Sequence, residues 1–128
     1  MPHIIVEYTD NIKDEADIAG LLEKINRSII SHGNLFPVGG IRSRAIELHD
    51  YFIADGTGND AFIHITMKIG AGRSEEEKTI VCDRLFDVVK KHLALLFEKH
   101  YLAISMDLYE FSEAGTYKWN NIHERYQS

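Results

Sequence analysis

The chain has 128 residues, 45% of them hydrophobic and 27% charged, which fits one folded domain or two small fused units and excludes a disordered or fibrous chain. Its net charge of -6 argues against nucleic acid as a partner but leaves small anions open, because they respond to the local field of a pocket. A single cysteine, Cys82, excludes an internal disulfide and any zinc site built on several thiolates, and suits a reducing cytoplasm. There is no basic leader followed by a long apolar run, and no stretch near the roughly 20 apolar residues that a membrane span needs. The expectation is a cytoplasmic protein with no membrane partner.

The chain opens with a β-branched run, His3 to Tyr8, that predicts a strand buried on both faces or nearly so. Thr9 to Lys13 is turn-like. From about Asp14 to His32, the apolar residues Ile18, Leu21, Leu22, Ile25 and Ile29 fall on one helical stripe. Gly33, Asn34, Pro37, Gly39 and Gly40 end that helix. Ile41 to His49 alternates like a strand, and Asp55 to Asp60 is a loop. A second strand follows from Ala61 to Ile69, then a turn at Gly70-Ala71-Gly72. Ser74 and Glu77 have the Ser-x-x-Glu spacing of a capping box, in which side chain and backbone pair reciprocally at a helix start. This helix is predicted to run to about His100, with Ile80, Leu85, Val88, Val89, Leu93 and Leu96 inward. Leu102 to Phe111 is a last strand.

The order is therefore β-α-β, loop, β-α-β, a repeat of about 60 residues. Crossovers of this kind are right-handed and join parallel strands. The predicted fold is α+β: one domain over 1–128, made of two β-α-β halves (about 2–55 and 61–111) that form a four-stranded sheet with two helices on one face. The other sheet face is expected to carry apolar side chains, from Ile4, Val6, Ile63 and Ile65 or their alternating neighbours, and further copies of the chain are the simplest cover. The segment 112–128 holds Tyr117, Trp119, Ile122 and Tyr126, which predicts an arm packed on its own subunit or a neighbour.

Pro2 is the leading candidate for chemistry. Removal of Met1 is expected before so small a residue and would leave a secondary amine. An α-amino group has a pKa near 8, and burial or nearby cations lower it further, toward the range where a general base works best. With Met1 retained, the same nitrogen is an amide and no base. Arg42 and Arg44, two residues apart, share one sheet face and suit bidentate carboxylate binding, or else form an ordinary edge-strand charge pair. Arg73 follows a Gly-x-Gly turn at a helix start, a place that favours an anion, or is simply a solvated turn residue. The seven histidines show no metal-binding spacing, and His64 reads as a satisfied core or pocket residue. Cys82 reads as a small buried hydrophobe.

Three stretches in order, Pro2-His3-Ile4-Ile5-Val6-Glu7, Gly40-Ile41-Arg42-Ser43-Arg44 and Lys68-Ile69-Gly70-Ala71-Gly72-Arg73-Ser74, resemble the 5-carboxymethyl-2-hydroxymuconate delta-isomerases of the tautomerase superfamily, whose members carry an amino-terminal proline. The resemblance covers nearly the whole chain, including Asn120-Asn121-Ile122-His123. It implies a bacterial, cytoplasmic homotrimer acting on a small tricarboxylic substrate in homoprotocatechuate (aromatic) catabolism, with neither metal nor organic cofactor. It further implies that Pro2 moves the proton and that Arg42 and Arg73 bind carboxylates and stabilise the dienolate. Arg44 would be a further substrate contact or a structural residue. Two alternatives stand beside it: another tautomerase activity on a smaller carboxylated enol, and a non-enzymatic ligand-binding or assembly module on the same sheet.

Overall fold

A computed structural model of the chain describes residues 1–126. Its regular elements are β1 (His3–Thr9), α1 (Lys13–Ala16), α2 (Ile18–Ile30), β2 (Arg42–Leu48), β3 (Ala61–Gly70), α3 (Glu75–His92), α4 (Ala94–Lys99) and β4 (Leu102–Phe111). The sheet order is β2-β1-β3-β4. β1 pairs parallel with β2 and β3 pairs parallel with β4, while β1 and β3 meet antiparallel. Each half is thus a β-α-β unit, as the repeat predicts, and the halves join along an antiparallel seam between their first strands.

One face of the sheet buries Ile4, Val6 and Tyr8 from β1 and Ile63, Ile65, Met67 and Ile69 from β3. These form one cluster with Leu21, Ile25 and Ile29 of α2 and Val81, Leu85 and Val89 of α3. Each such aliphatic side chain contributes about 1.5–3 kcal/mol when fully removed from water. The opposite face corrects an expectation. In β3 the residues between the buried ones are Phe62, His64, Thr66 and Lys68, and on β1 they are His3, Ile5 and Glu7. Ile4, Val6, Ile63 and Ile65 all lie on the helix side, and their alternating neighbours are mostly polar. Strict alternation, with period two, puts Ile5, Ile46, Leu48, Phe62, Ala103, Tyr109 and Phe111 on the open face, set among charged and polar neighbours.

Three local differences also emerge. The first predicted helix is broken at Asp17, whose φ of 47° is left-handed. Aspartate tolerates that conformation, and its carboxylate then caps α2 by accepting from Gly20 N at 3.2 Å. The second helix breaks at Leu93, the shared boundary of α3 and α4. Ile80 is 43% exposed and Val81 faces inward instead: two adjacent apolar residues leave the phase of a helix ambiguous, and packing chooses one. The capping box is present with both bonds, Ser74 Oγ accepting from Glu77 N (3.1 Å) and Glu77 Oε1 accepting from Ser74 N (2.9 Å).

The arm after β4 returns to its own chain. Its last described turn, Ile122–Tyr126, packs against Val38–Gly40, and Asn120 Nδ2 donates to Gly39 O at 2.9 Å. Tyr117 and Trp119 are fully exposed. The final two residues of the predicted arm lie outside the described residues. Among the described residues, no helix is long and apolar enough to cross a membrane.

The strand directions have one consequence for chemistry. The starts of β1 and β2 and the ends of β3 and β4 all fall at the same end of the sheet. Segments from four distant parts of the sequence meet there.

Candidate active site

Pro2 is buried at that end, one residue before β1. Its carbonyl accepts a hydrogen bond from Arg42 N at 3.1 Å, which starts the β1–β2 ladder and fixes the proline relative to β2. Gly40 lies against the chain start, where an added Cβ would sit 3.3 Å from Met1 Cγ. Gly39 is closer still to the arm, since a Cβ there would lie 2.9 Å from the His123 backbone. Glycine is needed at position 39, where the arm's backbone comes too close for any side chain.

The predicted arginines behave differently from one another. Arg42 is half-buried and forms no ion pair with a carboxylate among the described residues. β2 is an edge strand, yet the neutralising partner of an ordinary edge pair is missing. Arg44 is exposed on the same face, with Nη1 3.3 Å from His3 Nδ1. A guanidinium only donates, so His3 Nδ1 accepts and its proton belongs on Nε2. Arg73 is not free: Nε and Nη2 donate to Leu35 O (3.2 and 3.0 Å) and Nη1 donates to Gly70 O (3.1 Å). Its guanidinium also stacks 4.1 Å over the Phe36 ring. These contacts aim the side chain and leave part of its five-donor fork unused.

The structure adds Lys118, which the motif reading passed over. It sits on the arm between the exposed Tyr117 and Trp119, with Nζ 3.4 Å from Glu113 Oε2. Its only sequence signal is a position two residues before the Asn-Asn-Ile-His stretch that anchors the arm.

The combined field is legible in two titrating groups. The Met1 amine is held below its ordinary 8.0, first by burial, then by Lys118 and Arg73, against an opposing pull from Glu113, with Arg42 adding to the fall. His3 is held below its ordinary 6.5 by burial, then Arg44, Arg42, the amino terminus and Lys68. An acidic chain therefore concentrates cations around its own start. An amine there loses its proton easily, and an anion is attracted to the same spot. In the chain that begins at Met1, the Pro2 nitrogen is an amide.

Other sequence candidates lie elsewhere. His64 is on the open sheet face, its Nδ1 2.6 Å from Ser105 Oγ and its Nε2 3.5 Å from Asp107 Oδ2. Cys82 is half-buried against the core, and burial pushes its thiol up, keeping it protonated. A basic groove of about 660 Å³ between α2 and α3 shares no residue with the proline end, and its His92 is already engaged with Lys24 and the carbonyls of Ala16 and Asp17. Among the described residues, no cluster of His, Cys, Asp and Glu is arranged to hold a metal.

A sequence model described as 5-carboxymethyl-2-hydroxymuconate isomerase matches residues 2–126, from the buried proline to the arm. The chain belongs to the 5-carboxymethyl-2-hydroxymuconate isomerase family. It is 43% identical over 123 residues to the 5-carboxymethyl-2-hydroxymuconate Delta-isomerase of Escherichia coli, covering 96% of this chain and 97% of that protein. A crystal structure of a 5-carboxymethyl-2-hydroxymuconate isomerase from Deinococcus radiodurans R1 superposes with a TM-score of 0.94 at 48% identity, over 99% of this chain and 95% of that one. A fused 4-OT described as a symmetric trimer shares the fold at 18% identity, with a TM-score of 0.65 over 91% of this chain and 93% of that one. As a member of the isomerase family, the protein is an isomerase with the four-stranded tautomerase fold.

Proposed function

We propose that this protein, once Met1 is removed, converts 5-carboxymethyl-2-hydroxymuconate to its 2-oxo-3-ene isomer through the amine of Pro2. The observation that carries the reading is a buried chain start ringed by cations with too few carboxylates to neutralise them. The free amine takes the proton of the 2-hydroxyl. The O–H electron pair becomes the C2=O π bond, the diene electrons shift to C3=C4, and C5 collects the proton from the Pro2 ammonium. The enzyme ends as it began, and no electrons are gained or lost.

Arg42 and Arg73 hold substrate carboxylates and stabilise the negative charge that spreads over the dienolate. Fixed donors are most effective where charge develops, because they need no reorganisation during the step. The carbonyl contacts of Arg73 supply that fixity. Arg44 serves through His3 and as an outer contact for the substrate. No cofactor enters this scheme.

We read the chain as a single tautomerase-like domain of two halves and an arm, assembled as a homotrimer with the open sheet faces turned inward. We place it in the bacterial cytoplasm, in homoprotocatechuate breakdown. Charged residues such as Glu7, Arg44 and Asp107 would then meet their counter-charges across subunits.

The test uses the conversion of the tricarboxylic dienol, followed by absorbance. Protein whose mass shows loss of Met1 is expected to be active, and protein with Met1 retained or Pro2 acetylated is expected to lose about 10³-fold or more in kcat. Full activity of the capped protein would place the base elsewhere. In the processed protein, kcat/KM should climb as Pro2 sheds its proton, with the half-point below the ordinary α-amino value of 8.0.

A further inference from the structure

The substrate just proposed carries three carboxylates: two at the ends of the muconate chain and one on the carboxymethyl branch at C5. The sequence motifs offer two well-placed arginines for them, Arg42 and Arg73. The third anion is left with Arg44, an exposed outer contact already paired with His3, and the arm supplies a further cation at the same end of the sheet.

Several features put Lys118 there. The arm leaves β4 at the proline end of the sheet, directly after Phe111. Ser112 Oγ accepts from Ala114 N at 3.2 Å, and Thr116 Oγ1 donates to Ser112 O at 2.6 Å, so the turn that launches the arm is fixed. Beyond Lys118 the chain is pinned again, by Asn120 Nδ2 on Gly39 O and by Ile122 N on Asn120 Oδ1 (2.7 Å). Gly39 and Gly40 lie against both the arm's His123 and Met1. Lys118 therefore spans two anchored points beside the chain start. Of the cations that depress the terminal amine, it acts most strongly, ahead of Arg73 and Arg42.

Lys118 is already holding a carboxylate, that of Glu113 at 3.4 Å. This contact is loose, and both partners remain partly open to solvent. An exposed pair of this kind is weakly held and is readily exchanged for a better-placed anion.

We propose that Lys118 is the residue that selects the C5 carboxymethyl carboxylate, with Glu113 holding its place until substrate arrives. The inference rests on the reading of the site given above. C5 is the atom that receives the proton from Pro2, so its branch must extend from within reach of that nitrogen. The arm, pinned on Gly39 and next to the chain start, holds Lys118 at the proline end of the sheet and makes it the natural partner for the branch. Arg42 and Arg73 are left for the two ends of the chain. The site thereby distinguishes a tricarboxylate from a dicarboxylate by one lysine on the C-terminal arm.

The experiment compares wild type, Lys118→Ala, Lys118→Arg and Glu113→Gln, all with Met1 removed. The two substrates are 5-carboxymethyl-2-hydroxymuconate and the analogue with methyl in place of carboxymethyl. Measured at a pH above the ordinary α-amino value, where the base is free in both proteins, Lys118→Ala should lose about 10- to 100-fold more in kcat/KM on the tricarboxylate than on the methyl analogue, the loss usual for one charge-assisted contact. Lys118→Arg should restore most of the preference, and Glu113→Gln should lower KM for the tricarboxylate alone. Equal losses on both substrates, or none on either, would overturn the assignment. Should wild type isomerise neither compound, the proposed function itself fails. Calorimetric titration with 1,2,3-propanetricarboxylate and with glutarate then decides the role of Lys118. A tricarboxylate preference that disappears in Lys118→Ala upholds it, and an unchanged preference sinks it.

Discussion

The two ends of the sheet are built from the same kinds of residue and resolve their charges in opposite ways. At the far end, Asp10 accepts from Tyr51 OH (2.8 Å) and lies 3.0 Å from His49 Nδ1, while Asn11 Nδ2 donates to Asp60 O (2.9 Å) and Asn59 Oδ1 (3.2 Å). Asp10 and His49 answer each other locally there. The hydrogen bonds from His49 and Tyr51 hold the Asp10 carboxyl below its ordinary value, and Asp10 in turn raises His49. At the proline end, Arg42, Arg44, Lys68, Arg73 and Lys118 share a neighbourhood in which Glu113 is the one carboxylate that opposes them at the terminal amine. Like charges gathered without compensation destabilise a folded chain, so an arrangement of this kind points to an anion supplied from outside. On the proposed reading, one end serves the fold and the other serves the substrate.

Removing the ligand-facing charges tests that contrast most strongly. Arg42→Ala and Arg73→Ala should each cost about 10²–10³-fold in kcat/KM, the loss seen when one oriented donor is taken from a developing anion. They should differ in stability. Among the described residues Arg42 forms no ion pair with a carboxylate, so its loss should leave Tm unchanged or raise it slightly, whereas losing Arg73 abandons the carbonyls of Leu35 and Gly70 and should lower Tm. Thermal melts beside steady-state kinetics would read both. Arg44→Ala should be milder, within about tenfold in kcat/KM, because its exposed guanidinium acts through His3.

The smallest effect belongs to the far end, where Asp10→Asn should leave kcat/KM unchanged and lower Tm only in a pH window. Asp10 is depressed below 3.8, so its contribution exists above that value and vanishes as pH falls through its lowered pKa. His49 is raised above 6.5, so its share is complete below 6.5 and is lost as pH rises through the raised value. The Tm difference between Asp10→Asn and wild type should peak between those limits and shrink on both sides. A constant difference across pH would break the comparison.

Much of this architecture is written locally and some is not. The strand at His3 is legible as a run of β-branched residues, and those at Ala61 and Leu102 because apolar residues alternate there with a period of two. The start of α3 is legible because the Ser74–Glu77 spacing is itself the cap. Asp17 and Leu93 are different. Neither is a glycine or a proline, and the apolar rhythm runs through both, so the breaks reflect how each helix must turn to lie on the sheet. Pro2, Arg42 and Arg73 were readable as motifs, but their convergence depends on strand order and direction. Lys118 depends on the path of an arm fixed through Gly39, which no spacing rule encodes. The polar outer face was present in the alternation of His64, Thr66 and Lys68, and was obscured by the isoleucines between them.

The bond from Arg42 N to Pro2 O reaches the proline through its carbonyl and makes no use of its nitrogen. Excision of Met1 therefore removes nothing that seats the strand. On the proposed reading, aminopeptidase trimming would convert an inert amide into a reactive amine while leaving that ladder bond intact, a maturation by chemistry rather than by refolding.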